Sequence, residues 1–392
     1  MNYNFSSRMG NLKASAIREI LKLTADPNVI SFAAGSPSIK AFPNEIIEKI
    51  TADILKNNPF LALQYNITEG YAPLREVLKE MMKTRYNMST ENNNLVVTTG
   101  AQQAIELTTK VLINKGDTII AENPTFLGSL NSFKSYEANL VGVPVLEDGI
   151  DISQLEKALI ANENTKFIYV IPNFQNPTGV TMSLGKRKAV YALASKYNVL
   201  ILEDNPYGDL RFDGEHIPTI KSIDTENRVI YCGSFSKVLS PGLRVGYCFA
   251  PDEIIEKVVV CKQCADVHTT ILSQMICYEF LTKYNFDEHI SYLCDIYKHK
   301  AQLMMGEMAE KLDKSITFTK PEGGLFIWCT LPQAVDMMEF CKTAVLNKVA
   351  VVPGSAFLTD ESIGSNSFRV NFSTPSDEDI VKGIDILSKI KL

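Results

Sequence analysis

The sequence has neither a long apolar run nor an excess of basic residues. No uninterrupted apolar stretch among the 392 residues approaches the roughly 18 that a membrane helix needs, and the N-terminus lacks the apolar core of a secretory signal. Lys and Arg number 39 against 45 Asp and Glu, so the net charge of −6 builds no positive field for nucleic acid. With 45% apolar and 21% charged residues, the composition is that of an ordinary globular protein.

Cysteine and histidine are also scarce, which argues against a disulfide framework and a metal centre. Eight cysteines are too few for a disulfide scaffold in a chain of this length, so we expect a reducing, cytoplasmic location. The one Cys-x-x-Cys pair, Cys261 and Cys264, has no second ligand pair at zinc spacing, and the four histidines share no ligand spacing. We therefore expect buried free thiols and no bound metal.

Two widespread phosphate-binding signatures are missing. The nearest match to a Walker loop runs from Gly179 to Lys186, but it has one residue too many between its glycines and no hydroxyl residue after the lysine. The Gly-x-Gly-x-x-Gly pattern of dinucleotide-binding folds is absent. P-loop enzymes and nicotinamide or flavin enzymes of that type are therefore not indicated.

What the sequence does contain, between about residues 95 and 250, is an alternation of short apolar runs with helical patterns. Runs of four to seven apolar residues between helices predict strands that are buried on both faces of a mostly parallel sheet. These runs are 95–99, 117–122, 166–172, 199–203, 228–234 and 244–250. Ser183 is the expected N-cap of the helix that follows the third run. The pattern predicts an α/β domain with helices on both sheet faces.

The pattern changes after about residue 252, where long helical stretches run to about 312 and are followed by strand-like segments and another helix. This order predicts a smaller α+β domain at the C-terminus. We divide the chain into an N-terminal arm with a short helix (1–45), a large domain (46–285) and a small domain (286–392).

Polar residues follow the predicted strands, where open parallel sheets bind their ligands. A glycine turn before a helix offers free backbone N–H groups to a phosphate, and a lysine among hydroxyls with an arginine nearby suggests Schiff-base chemistry. Taken singly, each such residue is as readily a capping group or a surface ion pair. Together they indicate a ligand site, because all of them follow or flank strands of one sheet: Gly100, Asn176, Asp204, Lys237 and Arg244.

Eight strings of the sequence carry a family resemblance. They are SFAAGSP (31–37), LQYNITEGYAPLRE (63–76), TTGAQQAIEL (98–107), ENPTF (122–126), PNFQNPTG (172–179), LEDNPYGDLRF (202–212), SFSKVLSPGLRVGY (234–247) and FRVNFS (368–373). With these motifs the chain resembles, over nearly its whole length, the pyridoxal-phosphate (PLP) aminotransferases of fold type I, class I and II. Within that family it is most similar to the 2-aminoadipate and kynurenine aminotransferase subgroup.

The resemblance implies a fold, a reaction and a partner. The expected fold is the PLP-dependent transferase fold type I, with a mostly parallel seven-stranded sheet in the large, PLP-binding domain. The expected reaction moves an amino group from an L-amino acid of the 2-aminoadipate, aromatic or branched-chain type to a 2-oxo acid, 2-oxoglutarate being the expected acceptor. The expected assembly is a homodimer with the active site at the subunit interface, binding neither nucleic acid nor a membrane.

The resemblance also implies roles for individual residues around the cofactor. Lys237 binds PLP covalently and moves the proton of the substrate Cα, Asp204 pairs with the ring nitrogen, and Tyr207 and Asn176 hydrogen-bond the ring oxygen. The other implied cofactor contacts are Gly100, Ala101, Gln102, Ser234, Ser236 and Arg244 around the phosphate, Phe126 stacked on the ring, and Tyr65 reaching the phosphate of the neighbouring subunit. Cis peptide bonds are implied before Pro124 and Pro177.

Substrate binding is expected from four positions. By the resemblance, Arg369 holds the α-carboxylate through a bidentate fork, helped by Asn176 and the backbone at Gly35. Arg18 lies in SAIREILKLT, a segment that predicts a short helix with an apolar face. In the subgroup that the chain resembles, an arginine at this place meets the substrate side chain. From that resemblance our hypothesis is that Arg18 swings in for acidic substrate side chains and out for apolar ones, the alternative being a solvated surface arginine.

Three alternative functions stay open at this point. A C–S β-lyase would use the same Lys237, Asp204 and Arg369, and release of pyruvate from cystathionine would identify it. Some bacterial regulators carry a domain of this type behind a DNA-binding domain, against which the acidic balance of the chain argues. A scaffolding relative without catalysis would not need the intact lysine, aspartate and arginine set.

Overall fold

A large mixed sheet forms the centre of the computed structural model, which describes residues 3–11 and 28–392. In the described residues the strands are β1 (Ile30–Ser31), β2 (Asn93–Thr98), β3 (Thr118–Asn123), β4 (Asn139–Leu146), β5 (Gly149–Ile150), β6 (Thr165–Val170), β7 (Leu200–Asp204), β8 (Val229–Ser234), β9 (Gly246–Pro251), β10 (Thr317–Phe318), β11 (Phe326–Thr330), β12 (Val349–Ala350), β13 (Val352–Pro353) and β14 (Ser367–Asn371). The large sheet has the order β2-β9-β8-β7-β6-β3-β4-β5. Its central pairs from β4 to β8 are parallel, whereas β9 and β5 run antiparallel to their neighbours.

The helices of the same residues mostly connect or flank these strands. They are α1 (Asn44–Asn57), α2 (Pro59–Leu63), α3 (Ala72–Thr84), α4 (Ala101–Leu112), α5 (Leu127–Ser135), α6 (Ile152–Ala161), α7 (Leu184–Lys196), α8 (Asp252–Gln263), α9 (Ile271–Lys283), α10 (Phe286–Lys311), α11 (Met337–Leu346) and α12 (Asp377–Ser388). The predicted N-cap of α7 is confirmed, since the Ser183 hydroxyl accepts a hydrogen bond from the Lys186 backbone N–H. None of these helices combines the length and the apolarity that crossing a membrane requires.

The central strands β6, β7 and β8 are mostly apolar because the sheet is covered on both faces there. Successive side chains of a strand point to opposite faces. On β7, Leu202 packs into the larger core, whereas Ile201 packs into a second core formed with α6 and α7. On β6, Phe167 and Ile168 divide between the two cores in the same way. The prediction of an α/β domain with helices on both faces is confirmed.

The count of seven strands is wrong, because the large sheet has eight. The eighth, β5, is a two-residue return in which Gly149 and Ile150 pair with the end of β4. Gly149 makes this tight reversal with a φ of +113°, which side-chain-bearing residues rarely adopt. β4 itself escaped the search for apolar runs because it is half exposed and contains Gly142 and Pro144, as a strand near the edge of a sheet can.

A second, four-stranded antiparallel sheet lies in the C-terminal part of the chain, in the order β10-β11-β14-β13. The N-terminal segment joins this part, since β1 pairs in parallel with β12. The second sheet agrees with the expected α+β character, whereas the boundaries at 45/46 and 285/286 stay predictions. The predicted short helix with Arg18 lies outside the described residues.

The expectation for the Cys-x-x-Cys pair, Cys261 and Cys264, needs a correction. All eight cysteines lie in the described residues and are free thiols. Cys261 is only partly buried, and Cys264 is exposed at the end of α8. The expectation of two buried thiols on a helix is therefore wrong, because α8 ends at Gln263 and Cys264 follows it at the surface.

Candidate active site

The strand ends of the large sheet converge on one cavity of about 480 Å³. Asp204 ends β7, Ser234 ends β8, and the turns after β2, β3 and β6 supply further walls. The predicted site residues that line this cavity are Gly35, Ala101, Gln102, Phe126, Asn176, Asp204, Tyr207, Ser234, Ser236, Lys237, Arg244 and Arg369. Residues separated by more than 300 positions in the chain thus meet in one place.

Asp204 lies at the bottom of the cavity with one oxygen available. The side chain is only 3% exposed, and its Oδ2 accepts a hydrogen bond from the Tyr169 hydroxyl at 2.8 Å. Oδ1 has no partner among the described residues. Burial raises the pKa of Asp204 to about 7, while the Tyr169 hydrogen bond and the Lys237 charge act in the opposite direction. A buried carboxylate oxygen without a partner is costly, so it fits a ligand that brings a donor or a positive charge.

Lys237 is the amine of the cavity. Its Nζ donates a hydrogen bond to the Gly35 carbonyl at 2.7 Å. Burial, followed by the positive charges of Arg369 and Arg244, lowers the pKa of Lys237 to about 8. At that pKa an appreciable fraction of the amine is unprotonated near pH 8, and the unprotonated amine is the form that attacks a carbonyl or acts as a base.

The turn between β2 and α4 is shaped for an anion. Gly100 has a φ of +75° and stands at the N-cap of α4 without a side-chain cap. A Cβ at this position would lie 2.3 Å from Arg244 Nη2, so only glycine leaves room for the guanidinium. The Gln102 side chain donates a hydrogen bond to the Gly128 carbonyl at 2.9 Å, and no side chain caps the first backbone N–H groups of α4. Free N–H groups at a helix N-terminus beside an arginine form a phosphate site.

The hydroxyls that complete this anion site belong to Ser234 and Ser236. The Ser234 hydroxyl accepts a hydrogen bond from the Ser236 backbone N–H at 3.1 Å, and Arg244 Nη1 donates to the Ser236 hydroxyl at 3.4 Å. Arg244 has a φ of +54° and lies in a turn rather than in the strand. The expected strand 244–250 therefore begins only at Gly246, because Arg244 leaves the extended conformation to face the cavity.

Arg369 forms the opposite end of the cavity. Its Nη1 donates to Asn176 Oδ1 at 2.9 Å and its Nη2 to the Ala33 carbonyl at 2.8 Å. The guanidinium carbon lies 4.2 Å from the ring centre of Phe326, and Nε has no partner among the described residues. Burial lowers the pKa of Arg369 to about 10, so the group stays charged at neutral pH. A buried cation without a facing carboxylate is suited to bind a carboxylate from outside.

The remaining predictions concern two peptide bonds, Tyr65 and Arg18. The cis peptide bonds at Asn123–Pro124 and Asn176–Pro177 are both confirmed. Tyr65 does not line the cavity of its own chain: it is 80% exposed, and its ring meets His268 edge to face. Arg18 lies outside the described residues.

Sequence reasoning missed two groups that touch the site residues. Tyr169 donates a hydrogen bond from its hydroxyl to Asp204 and lies inside an apolar run of the sequence. The one sequence signal that could have identified it is that a buried tyrosine needs a hydrogen-bond partner for its hydroxyl. That hydroxyl also accepts a hydrogen bond from Ser129 at 2.7 Å. Ala33 accepts the Arg369 hydrogen bond through its backbone carbonyl, and no sequence pattern predicts such a contact.

Known proteins resemble this chain over almost its whole length. Residues 27–387 match the family model described as aminotransferase class I and II. The aromatic-amino-acid aminotransferase 1 of Thermococcus litoralis is 41% identical over 98% of this chain and 93% of its own length. The structure of the Pyrococcus horikoshii kynurenine aminotransferase in complex with PMP superposes with a TM-score of 0.94, at 37% identity and with 98% and 96% of the two chains covered. The α-aminoadipate aminotransferase of Thermus thermophilus, complexed with N-(5'-phosphopyridoxyl)-L-leucine, gives a TM-score of 0.90 at 36% identity, with 98% and 96% covered.

Proposed function

This chain belongs to the class I and II aminotransferases, whose cofactor is PLP, and from that premise we propose which amino group it transfers and which residues carry the reaction. The proposed donor is an L-amino acid of the 2-aminoadipate, aromatic or branched-chain type, and the proposed acceptor is 2-oxoglutarate. The observation that carries the proposal is the free, buried Oδ1 of Asp204 in one cavity with the Lys237 amine.

The residues of the cavity fit the cofactor group by group. When bound, PLP supplies an electron sink for the charge that develops at the substrate Cα. The free Asp204 Oδ1 would accept from the ring nitrogen, and Tyr207 with Asn176 would bind the ring oxygen. Phe126 would stack on the ring. The phosphate would lie among Gly100, Ala101, Gln102, Ser234, Ser236 and Arg244.

Lys237 and Arg369 have different proposed roles, proton transfer and carboxylate binding respectively. Lys237 would hold the cofactor covalently and, once displaced by the substrate, would take the proton from Cα. Its lowered pKa leaves much of the amine unprotonated near pH 8 and therefore able to accept that proton. Arg369, Asn176 and the backbone at Gly35 would fix the α-carboxylate, which aims the Cα–H bond at Lys237.

The proposed donor class rests on the cavity walls and on the relatives. Apolar side chains line part of the cavity: Ile105, Phe126, Leu127 and Ile171. Such walls suit an aromatic or branched side chain. The T. litoralis relative is named for aromatic amino acids, and the T. thermophilus relative for α-aminoadipate with a leucine adduct in its structure. Acidic side chains, including that of 2-oxoglutarate, need a further cation, for which Arg18 is the proposed group.

The proposed assembly is a homodimer in which Tyr65 reaches the partner's phosphate site. Exposed large apolar side chains concentrate on and after α2: Phe60 (76%), Leu61 (37%), Leu63 (73%), Tyr65 (80%) and Ile67 (51%). Such a concentration is typical of a surface that a partner covers. A second copy of the chain is the proposed cover, since Tyr65 does not line the cavity of its own chain and its proposed contact with a cofactor phosphate therefore needs the cavity of another copy. The cytoplasmic location stays a prediction.

A panel of substrates tests the proposal on the purified holoenzyme. Each L-amino acid is added alone, and the visible absorption band of the bound cofactor is followed. We expect 2-aminoadipate, phenylalanine and leucine to remove the band and to release their 2-oxo acids. Addition of 2-oxoglutarate should then restore the band and yield glutamate.

Two outcomes would contradict the proposal. Release of pyruvate and a thiol from cystathionine, without loss of the band, would indicate a C–S β-lyase. A band that only alanine or aspartate removes would leave the aminotransferase assignment in place but overturn the proposed donor class.

A further inference from the structure

An ion pair between Lys262 and Asp266 lies beside the anion-binding turn, and neither residue lines the cavity. The Asp266 side chain is 28% exposed. Lys262, in the last turn of α8, has a side chain that is 0% exposed, and its Nζ lies 2.8 Å from Asp266 Oδ1. The same Nζ donates to Gln103 Oε1 at 2.7 Å and to the Thr269 hydroxyl at 3.0 Å. All three ammonium protons are thus used, and neither charge touches the cavity lining.

The pair is connected to the turn through Thr99 and Gln103. Asp266 Oδ2 accepts from the Thr99 hydroxyl at 2.7 Å and from Gln103 Nε2 at 2.8 Å. Gln103 Oε1 in turn accepts the Thr99 backbone N–H at 2.8 Å. The Thr99 carbonyl accepts from Arg244 Nη2 at 3.2 Å. Thr99 is therefore held at its N–H and hydroxyl by this network, and its carbonyl holds the guanidinium that faces the anion site.

We propose that Lys262 and Asp266 are positioning residues for cofactor binding, which set the β2–α4 turn and Arg244 in the geometry that binds the cofactor phosphate. The inference rests on the proposed phosphate site at this turn. Gly100 has no side chain with which to cap α4, so the turn needs support from behind. The Lys262 ammonium is fully buried and fully hydrogen-bonded, which favours a fixed geometry, and loss of Asp266 leaves this buried charge without its counter-charge.

The same strand offers a matched control at its other end. Lys221 and Asp224 form a second ion pair, with side chains 2% and 0% exposed and the charged atoms 2.9 Å apart. Lys221 Nζ also donates to Asn93 Oδ1 at 2.7 Å, at the first residue of β2. Six strand residues, or about 20 Å, separate this end of β2 from Thr99. Disruption of the control pair should destabilise the fold without moving the anion-binding turn.

The test compares two aldehydes that differ only in the phosphate. The full-length chain, freed of cofactor, is titrated with PLP and with pyridoxal, and binding is followed by the absorption of the lysine adduct. Asp266→Asn and Lys262→Met are compared with Asp224→Asn and Lys221→Met. We expect Asp266→Asn to weaken the affinity for PLP by about tenfold or more, which is the scale of one charge-assisted hydrogen bond. The affinity for pyridoxal should change by less than about twofold. Circular dichroism confirms folding, and if Lys262→Met does not fold, Asp266→Asn decides alone.

Three outcomes would overturn the inference. The folded Asp266→Asn variant could bind PLP like the wild type, or it could lose PLP and pyridoxal equally, or the control variants could show the same selective loss of PLP. A wild-type chain that binds pyridoxal as tightly as PLP would instead contradict the proposed phosphate site itself, and the inference with it. The two failures are thus separated by the wild-type measurement.

Discussion

The two ends of the cavity are assembled from different kinds of neighbours. At the proposed cofactor end, Asp204, Ser234 and Lys237 come from two adjacent strands, β7 and β8, and the short loop after them. At the proposed carboxylate end, Arg369 is joined to Asn176 across 193 residues of chain and to Ala33 across 336. The geometry of the first end is set by neighbouring strands of a sheet that is packed on both faces, whereas that of the second depends on contacts between segments that are distant in the chain. Substitutions at the first end should disturb every reaction, and those at the second should disturb the binding of substrates.

The largest effect is expected from Lys237→Ala. Without its amine the chain can neither bind the cofactor covalently nor move the Cα proton, so transfer should fall on the order of 10⁴-fold or more. Borohydride reduction followed by mass spectrometry should find no cofactor attached to the variant, although the protein still folds. A reducible adduct in Lys237→Ala would show that another amine carries the reaction.

Asp204→Ala should come next, and should affect all substrates alike. The ring nitrogen would lose its anionic partner, and loss of such an electrostatic contact costs on the order of 100-fold or more in kcat. Asp204→Glu serves as the control and should be less impaired, because it keeps the charge. Wild-type turnover in Asp204→Ala would mean that a different group serves the nitrogen.

Arg369→Gln is expected to act on substrate binding. Loss of a buried bidentate contact to the α-carboxylate should cost about 2–3 kcal/mol, or roughly 30- to 150-fold, mostly in KM. The absorption band of the bound cofactor should stay as in the wild type, which separates this end of the cavity from the Asp204 end. Equal losses in kcat, or a changed band, would show that the two ends are not independent.

The smallest and most selective effect is expected from Arg18→Gln. The binding of acidic donors and of 2-oxoglutarate should weaken by about 1.5 kcal/mol, or roughly tenfold, which is the lower limit for a charge-assisted hydrogen bond. Leucine should be nearly unchanged in the half-reaction. Arg8→Gln, at an exposed position of the N-terminal segment, is the control and should change neither class. If Arg18→Gln loses both classes equally, or neither, Arg18 does not select the side chain.

The contrast between the two ends also explains what the sequence could predict. Strand periodicity and the polar residues after each run were enough to expect the α/β sheet and to group Gly100, Asn176, Asp204, Lys237 and Arg244. All of these except Gly100 line the cavity, and Gly100 lies against Arg244. These predictions succeed because local patterns report burial, and the carboxyl ends of parallel strands share one edge. Arg369 and Gly35, in contrast, came only from the family resemblance, since no local pattern reports contacts over such separations.

The misses have physical causes of the same kind. Tyr169 and Ala33 act from inside an apolar run and through a backbone carbonyl, so their residue types gave little signal. The Lys262–Asp266 pair belongs to no motif in the sequence, and only the structure places it against Thr99. Strand β5 was too short, at two residues, for any periodicity.

The division of each central strand between two cores limits how this chain can change in length. Leu202 and Asp204 share one face of β7, and Glu203 points to the other, where it accepts the backbone N–H groups of Ile220 and Lys221. A one-residue deletion early in β7 would bring Asn205 to the cavity position and put the shorter Asp204 in the place of Glu203, exchanging faces. Single substitutions along the strand keep this alternation of faces. Insertions and deletions are therefore expected to be tolerated only in the loops between the strands.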